Sequence, residues 1–328
     1  MPKEFILPYF KYSKLLVFNH FLYFWQIFLM QTTNQQKAYI LAILAVLMWS
    51  TVSTAFKIAL KQLDFIQLLF VASLVSLTIF LVYSILTNKI KEILAQNIKQ
   101  IAYSALVAAI NPTAYYLVLF KAYSLLPAQI AQPLNYTWPF VLTLLSAFIF
   151  KQKLNSKIII AFFISLLAVF VIASQGNLNS FDIKSPWGIF LALFSSLFWS
   201  IYWILNLKDN RNDIVKLFWS FLFSTIYISL ICYLFSNFNI KISNSLWAAV
   251  YTGLFELGFT FIVWLAALRY SKSTAKISNL IYLSPVLALF FIHFVLKEKI
   301  YFTTFIGLFM IIFSILYLNK SKNIKNSQ

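Results

Sequence analysis

Charge is scarce in this chain, and acid scarcest of all. Only 10% of the 328 residues are charged, and only eight are Asp or Glu. A soluble domain carries about 25% charged residues. With 62% of the residues hydrophobic, the polar surface is too small to cover a globule in water. A soluble enzyme and a disordered chain are thereby excluded. The single cysteine, Cys232, cannot close an internal disulfide. The two histidines, His20 and His293, lie far apart, and no Cys/His group has metal-ligand spacing. No P-loop, GxGxxG or GxSxG is present. No metal, cofactor or catalytic residue is therefore expected.

What the chain does have is base. Lys and Arg number 26, for a net charge of +18. That balance alone would suit nucleic acid. Here, however, the basic residues come as short clusters between long apolar runs, the pattern of a multi-spanning membrane protein. The expected partner is the lipid bilayer and not nucleic acid. Lysine outnumbers arginine 24 to 2, and Phe, Ile and Asn abound, as codon bias would produce. A high Phe count is therefore no sign of aromatic recognition by itself.

A helix needs about 20 apolar residues to cross roughly 30 Å of hydrocarbon. Windows free of Asp, Glu, Lys and Arg run over 38–56, 65–88, 100–120, 122–150, 158–181, 185–207, 217–240, 277–296 and 300–319. The stretch 242–268 is as apolar, broken only by Glu256, which makes ten spans with short connectors. With the N-terminus placed in the cytoplasm, the outer segments hold Lys57, Lys61, Lys121, Lys184, Lys241, Lys297 and Lys299, and the other 19 basic residues fall inside. The positive-inside rule thus supports ten helices with both termini cytoplasmic, in an inner (plasma) membrane. Trp187, Trp219 and Trp247, near span starts, fit an interfacial aromatic belt. Residues 15–30 are apolar but short for a span, and they lack a signal-peptide cleavage pattern. They read either as an interfacial helix or as sequence upstream of a translation start at Met30.

The expected organisation is an N-terminal segment 1–37, a first repeat 38–174, a polar connector 175–186, a second repeat 187–319 and a basic tail 320–328. LAVLMWS, ending at Ser50, pairs with ALFSSLFWS, ending at Ser200, which matches Trp49 to Trp199. Tyr136–Lys153 aligns without gaps to Tyr282–Lys299, pairing Pro139 with Pro285. Five spans per copy force the second copy to enter the membrane from the opposite side. The fold class expected is an all-α polytopic membrane protein, ten helices in a 5+5 inverted repeat. Such repeats place a binding site near the midplane.

The strings AQPLNYTWPFVLTLLSA (131–147), GLFELGFTFIVWLAALRYS and KISNLIYLSPVLALFFIHFVLKEKI resemble the drug/metabolite transporter superfamily. Two EamA-type repeats are implied over residues 38–319, close to the branch that includes aromatic amino acid exporters. The resemblance implies alternating access and small organic substrates, often amino acids, usually exported. Family repeats often carry Glu after the fourth helix; Glu298 keeps it, whereas Gln152 replaces it in the first half.

Glu256 stands near the centre of the eighth span, where a carboxylate costs about 2.5–3.5 kcal/mol unless it faces the bundle interior, water or a partner. Thr252 and Thr260, four residues to either side, would share its helical face. Glu256 is expected to pair with a substrate ammonium or to exchange a proton; a structural carboxyl is the alternative. Asn111 and Pro112 form the counterpart in the third span, where a kink frees carbonyls for a ligand or a hinge. Gln132, Pro133, Asn135, Tyr136, Trp138 and Pro139 crowd amides, rings and kinks into one span. They read as a cavity lining for an amphipathic substrate, or as interhelical hydrogen bonding. Tyr282, Ser284 and Pro285 occupy the matching place in the ninth span. Trp49, Ser50 and Ser53, with Trp199, Ser200 and Trp203, could line the same cavity or simply pack. His293 reads as a bonded side chain, and Lys57 and Lys121 as snorkelling cations.

The reading is a secondary transporter of small amphipathic metabolites, amino acids first, with protons as one coupling option and a monomer plausible. Uptake of a metabolite, nucleoside or cofactor is the alternative. A membrane-embedded lipid enzyme or a scaffold without flux is more remote.

Overall fold

The computed structural model describes residues 33–149, 156–176, 185–272 and 277–325. The apolar segment 15–30, Met30, Gln152, Lys153 and residues 177–184 of the polar connector lie outside the described residues. Within them the chain is helical and contains no strand.

Helix α1 spans Asn34–Ala59 and α2 Phe65–Leu86. A short α3, Ile90–Leu94, leads to α4, Ile98–Ala108, which passes through a wider π-helical turn at Ala109–Ala114 into α5, Tyr115–Leu125. Next come α6, Ala128–Asn135, α7, Trp138–Ile149, and α8, Ser156–Ala173. After the connector come α9, Pro186–Leu207, and α10, Asp213–Phe235. A second π-helical turn, Gly253–Gly258, joins α11, Asn244–Thr252, to α12, Phe259–Tyr270. A 3₁₀ turn at Asn279–Tyr282 runs into α13, Leu283–Leu296, and α14, Phe302–Lys325, follows.

The helices start where side chains can satisfy their free N–H groups. Thr33 with Gln36, Asp64 with Gln67, and Asn97 with Gln100 form reciprocal capping boxes at α1, α2 and α4. Ser185 caps α9 just ahead of Pro186, whose missing N–H costs nothing in a first turn.

Seven helical stretches among the described residues are long and apolar enough to cross a bilayer, and Ile159–Ala173 and Phe302–Tyr317 are shorter apolar helices. The fourth window is where the structure departs from expectation. Residues 122–125 complete α5, so Lys121 lies inside a helix and not in a loop. Leu126 is extended (φ −117°, ψ 151°), as a residue before proline prefers, and Pro127 opens the next rod. That rod breaks again at Tyr136–Thr137, between α6 and α7.

Polarity is arranged inside out. Phe148, Phe290, Phe294, Phe309 and Leu316 face outward, while Ser50, Gln67, Ser76, Gln132, Asn135 and Thr252 are buried. An apolar exterior of this extent needs lipid or a partner to cover it. Many interior hydroxyls donate to their own helix, as Ser76 does to the Ala72 carbonyl at 2.8 Å and Ser200 to that of Ser196 at 2.7 Å. Such back-bonding satisfies polar groups where no water reaches. Helix α1 packs on α12 and α13, α9 packs on α5 and α7, α2 on α10, and α8 on α14.

Candidate functional site

The two π-helical turns bring the site together. In the first, Asn111 leaves helical geometry altogether (φ −148°, ψ 125°) directly before Pro112. In the second, Gly253 lets α2 approach: a Cβ there would stand 2.7 Å from the Ala72 carbonyl oxygen and 2.7 Å from Val75 Cβ. The Ser76 hydroxyl sits at this contact, 2.9 Å from the Gly253 carbonyl it donates to. Ordinary α-helical pitch is lost over Gly253–Gly258, and Glu256 is carried on that turn.

Glu256 faces the other half of the chain. Its Oε1 accepts a hydrogen bond from the Tyr116 hydroxyl at 3.0 Å, and Tyr116 is itself buried, one residue into α5. The Trp49 indole approaches the Glu256 carbonyl at 3.4 Å. Around this pair lies a small pocket of about 60 Å³, whose walls include Tyr115, Gln132, Asn135, Tyr136, Trp138 and Trp199. The amide oxygens are already engaged. Asn135 accepts from Tyr115 at 3.2 Å and donates to Ser195 at 2.9 Å, and Gln132 accepts from the Tyr123 hydroxyl. Glu256 supplies the pocket's one carboxylate, and no Lys, Arg or His is among its lining residues.

A second cavity, of about 600 Å³, shares Trp49, Trp138, Trp199 and Ile281 with the first. Trp203, Phe261, Trp264 and Tyr282 add to its aromatic wall. It extends toward the end of the molecule that carries Asn206, Leu207 and Ser278, where Lys216 and Asp213 pair at 2.8 Å.

The opposite end carries a clasp, beside an open recess of about 420 Å³ lined by Lys57, Gln129, Glu298 and Tyr301 among others. Both carboxylate oxygens of Glu298 accept backbone N–H groups from the first turn of α6, Ala128 at 3.0 Å and Gln129 at 3.2 Å. A carboxylate suits the positive end of a helix dipole. The Gln129 side chain reciprocates, donating to the Lys299 carbonyl at 2.6 Å and accepting from the Tyr301 N–H at 3.2 Å. Lys57 donates to the carbonyls of Tyr123 at 2.9 Å and Leu126 at 3.0 Å.

Of the residues singled out in the sequence, Glu256, Gln132, Asn135, Tyr136, Trp138, Trp49, Trp199, Trp203 and Tyr282 meet at these two cavities. Ser284 is buried beside the Tyr136 hydroxyl, and Pro139 and Pro285 sit in the first turns of α7 and α13. Thr252 and Thr260 do not line either cavity. Thr252 donates to the Ala248 carbonyl, and Thr260 to that of Phe255, because the π turn between them destroys the shared face that α-helical spacing implied. Asn111 is buried at the kink but lines neither cavity, and neither do Pro112, Ser50, Ser53 and Ser200. His293 Nδ1 lies 3.0 Å from the Glu298 carbonyl. Lys57 reaches the carbonyls at the C-terminal end of α5, in the recess beside the clasp. Lys121 lies 5.0 Å over the Phe65 ring. Sequence reasoning missed Tyr115, Tyr116, Phe261 and Trp264. Tyr116 and Tyr123 lie seven residues apart, on one face after Pro112, a spacing lost among 18 tyrosines.

The sequence profile of the EamA-like transporter family matches residues 36–174 and again 186–320. An uncharacterized transporter of Bacillus subtilis, YoaV, is 25% identical over 182 residues, which cover 54% of this chain and 62% of that protein. The chain thus spans less than two thirds of that relative's length. A solved structure described only as the crystal structure of a protein superposes with a TM-score of 0.60 at 17% identity, covering 86% of this chain and 96% of its own. At that identity the likeness is one of fold.

Proposed function

This chain belongs to the EamA-like transporter family, and from that premise we propose that it is a secondary transporter of small amphipathic metabolites, rocking about the pocket that holds Glu256. The observation that carries the proposal is Glu256 itself. It is a carboxylate set on an unwound turn, bonded to Tyr116 of the other half, in a pocket that abuts a cavity reaching one end of the molecule. A carboxylate carried in a membrane span is expensive, and where it persists it marks by default an ion or substrate path.

Ten membrane helices in two inverted sets of five fit the packing. The third rod of each set is broken by a π-helical turn, and the fourth is broken or tightened at the aligned residues Tyr136 and Tyr282. The contact pairs also exchange when the sets are swapped: α1 with α12 and α13 becomes α9 with α5 and α7. Broken helices meeting at the repeat interface are where such transporters bind substrate. The boundaries 38–174 and 187–319 are proposed for the two sets.

With both termini in the cytoplasm, as the distribution of Lys and Arg favours, the larger cavity opens inward and the Glu298 clasp closes the outer side. Carriage must then follow a solute or ion gradient, because the chain has no nucleotide-binding motif. The site suits an ammonium group on Glu256 and an apolar body against the tryptophans, as in small amphipathic amines, and an amino acid shares both features. Protons can take the carboxylate when substrate leaves. Export follows the family resemblance.

Counterflow in proteoliposomes tests the reading. Vesicles preloaded with an unlabelled amino acid or amine should accumulate the labelled one, and Glu256→Gln should lower the initial rate at least about tenfold, the loss of roughly 1.4 kcal/mol or more of binding. No accumulation of any member of a broad panel by well-folded wild type would remove the proposal.

A further inference from the structure

Resting on that transporter reading, we infer that the site selects organic monocations, primary amines with an apolar or aromatic body, over the zwitterionic amino acids built on the same skeleton. Size comes first. The pocket beside Glu256, about 60 Å³, has a tenth of the volume of the adjoining cavity of about 600 Å³. It can take a head group and not a whole metabolite. The body must then lie in the adjoining cavity of about 600 Å³, past Trp49, Trp138 and Trp199. In an amino acid the carboxylate hangs on the carbon that bears the ammonium. It would enter the same small pocket and meet Glu256.

Charge decides the matter further. No Lys, Arg or His lines the small pocket to receive an anion. Donors are few as well: the Trp49 indole N–H points at the Glu256 carbonyl, the Asn135 amide donates to Ser195, and the Trp199 indole N–H is buried. Glu256 Oε1 has its bond from Tyr116, and no protein group is bonded to Oε2 among the described residues. The lumen therefore offers a carboxylate oxygen and aromatic rings, which attract a cation, with uncharged amide and hydroxyl groups beside them. An unpaired carboxylate brought beside another in so narrow a site is costly.

The test uses full-length protein purified in detergent and labelled phenethylamine as probe. Unlabelled phenethylamine and phenylalaninamide should displace it, and phenylalanine should need at least about tenfold higher concentration, since close like charges cost several kcal/mol. Phenylalaninamide has nearly the size of phenylalanine without its negative charge, so it separates charge from bulk. Glu256→Gln, checked for a single symmetric size-exclusion peak, should lose phenethylamine binding. Trp138→Leu should weaken it severalfold if the glutamine variant does not fold. Phenylalanine competing as well as phenethylamine would overturn the inference, and so would no amine binding up to millimolar concentration. Binding with the expected order but no counterflow would support the inference while refuting the transporter reading.

Discussion

Tyr116 is the residue whose removal speaks most clearly about Glu256. Its hydroxyl is the protein's donor to the carboxylate, at 3.0 Å. Hydrogen bonds to charged groups contribute about 1.5–3 kcal/mol. Tyr116→Phe keeps the buried ring and removes that bond, so substrate half-saturation in counterflow should shift by roughly tenfold. An unchanged value would mean that the bond does not orient the carboxylate. A second residue-scale expectation lies outside the bilayer. Burial pushes the Asp209 carboxyl up, but the hydrogen bonds and charge of Arg211, at 2.6 Å, outweigh it and hold the group below its ordinary value of 3.8. A depressed carboxyl stabilises the fold above its ordinary pKa, and that stabilisation is lost as pH falls through the lower folded value. Asp209→Asn should therefore lower Tm near neutrality and flatten its fall on acidification below about pH 4. Equal Tm and equal acid profiles would show the pair to be idle.

At the scale of elements, the unwound turns organise the site, and they explain what could and could not be read beforehand. Glu256, Gln132, Asn135, Tyr136 and the tryptophans were legible because polar groups and kinks inside apolar windows have few purposes. Thr252 and Thr260 were misplaced because i, i+4 spacing presumes 3.6 residues per turn, and the π turn at Gly253–Gly258 breaks that register. The break between α6 and α7 was likewise invisible to a count of charge-free residues, although Pro127, Pro133 and Pro139 marked it. Gly253 tests the packing behind the turn. In Gly253→Ala the new methyl meets the Ala72 carbonyl at 2.7 Å, backbone that cannot rotate away. Overpacking of this kind costs about 1–3 kcal/mol. Thermal unfolding in detergent should show a lowered Tm, with counterflow reduced because Glu256 rides on the displaced turn. A stable, fully active alanine variant would mean that α2 has slack there.

For the whole molecule, a cavity reaches one end and a clasp ties the two sets at the other, and the proposed cycle exchanges these roles. Glu298 and Gln129 join the two sets through hydrogen bonds to backbone groups, a closure that separation of the sets would break at once. This contact was only half legible. Glu298 was recognisable from the family pattern, but nothing in one sequence says that it caps a helix 170 residues away. The most direct measurement is therefore counterflow of labelled phenethylamine by protein locked across this clasp. Cysteines replace Gln129 and Tyr301 in a Cys232→Ser background, and a short reducible thiol cross-linker joins them. The expected result is that cross-linking stops counterflow, that reduction restores it, and that phenethylamine binding from the cavity end survives throughout. Full counterflow with the clasp covalently closed would contradict passage between the two ends through the Glu256 pocket.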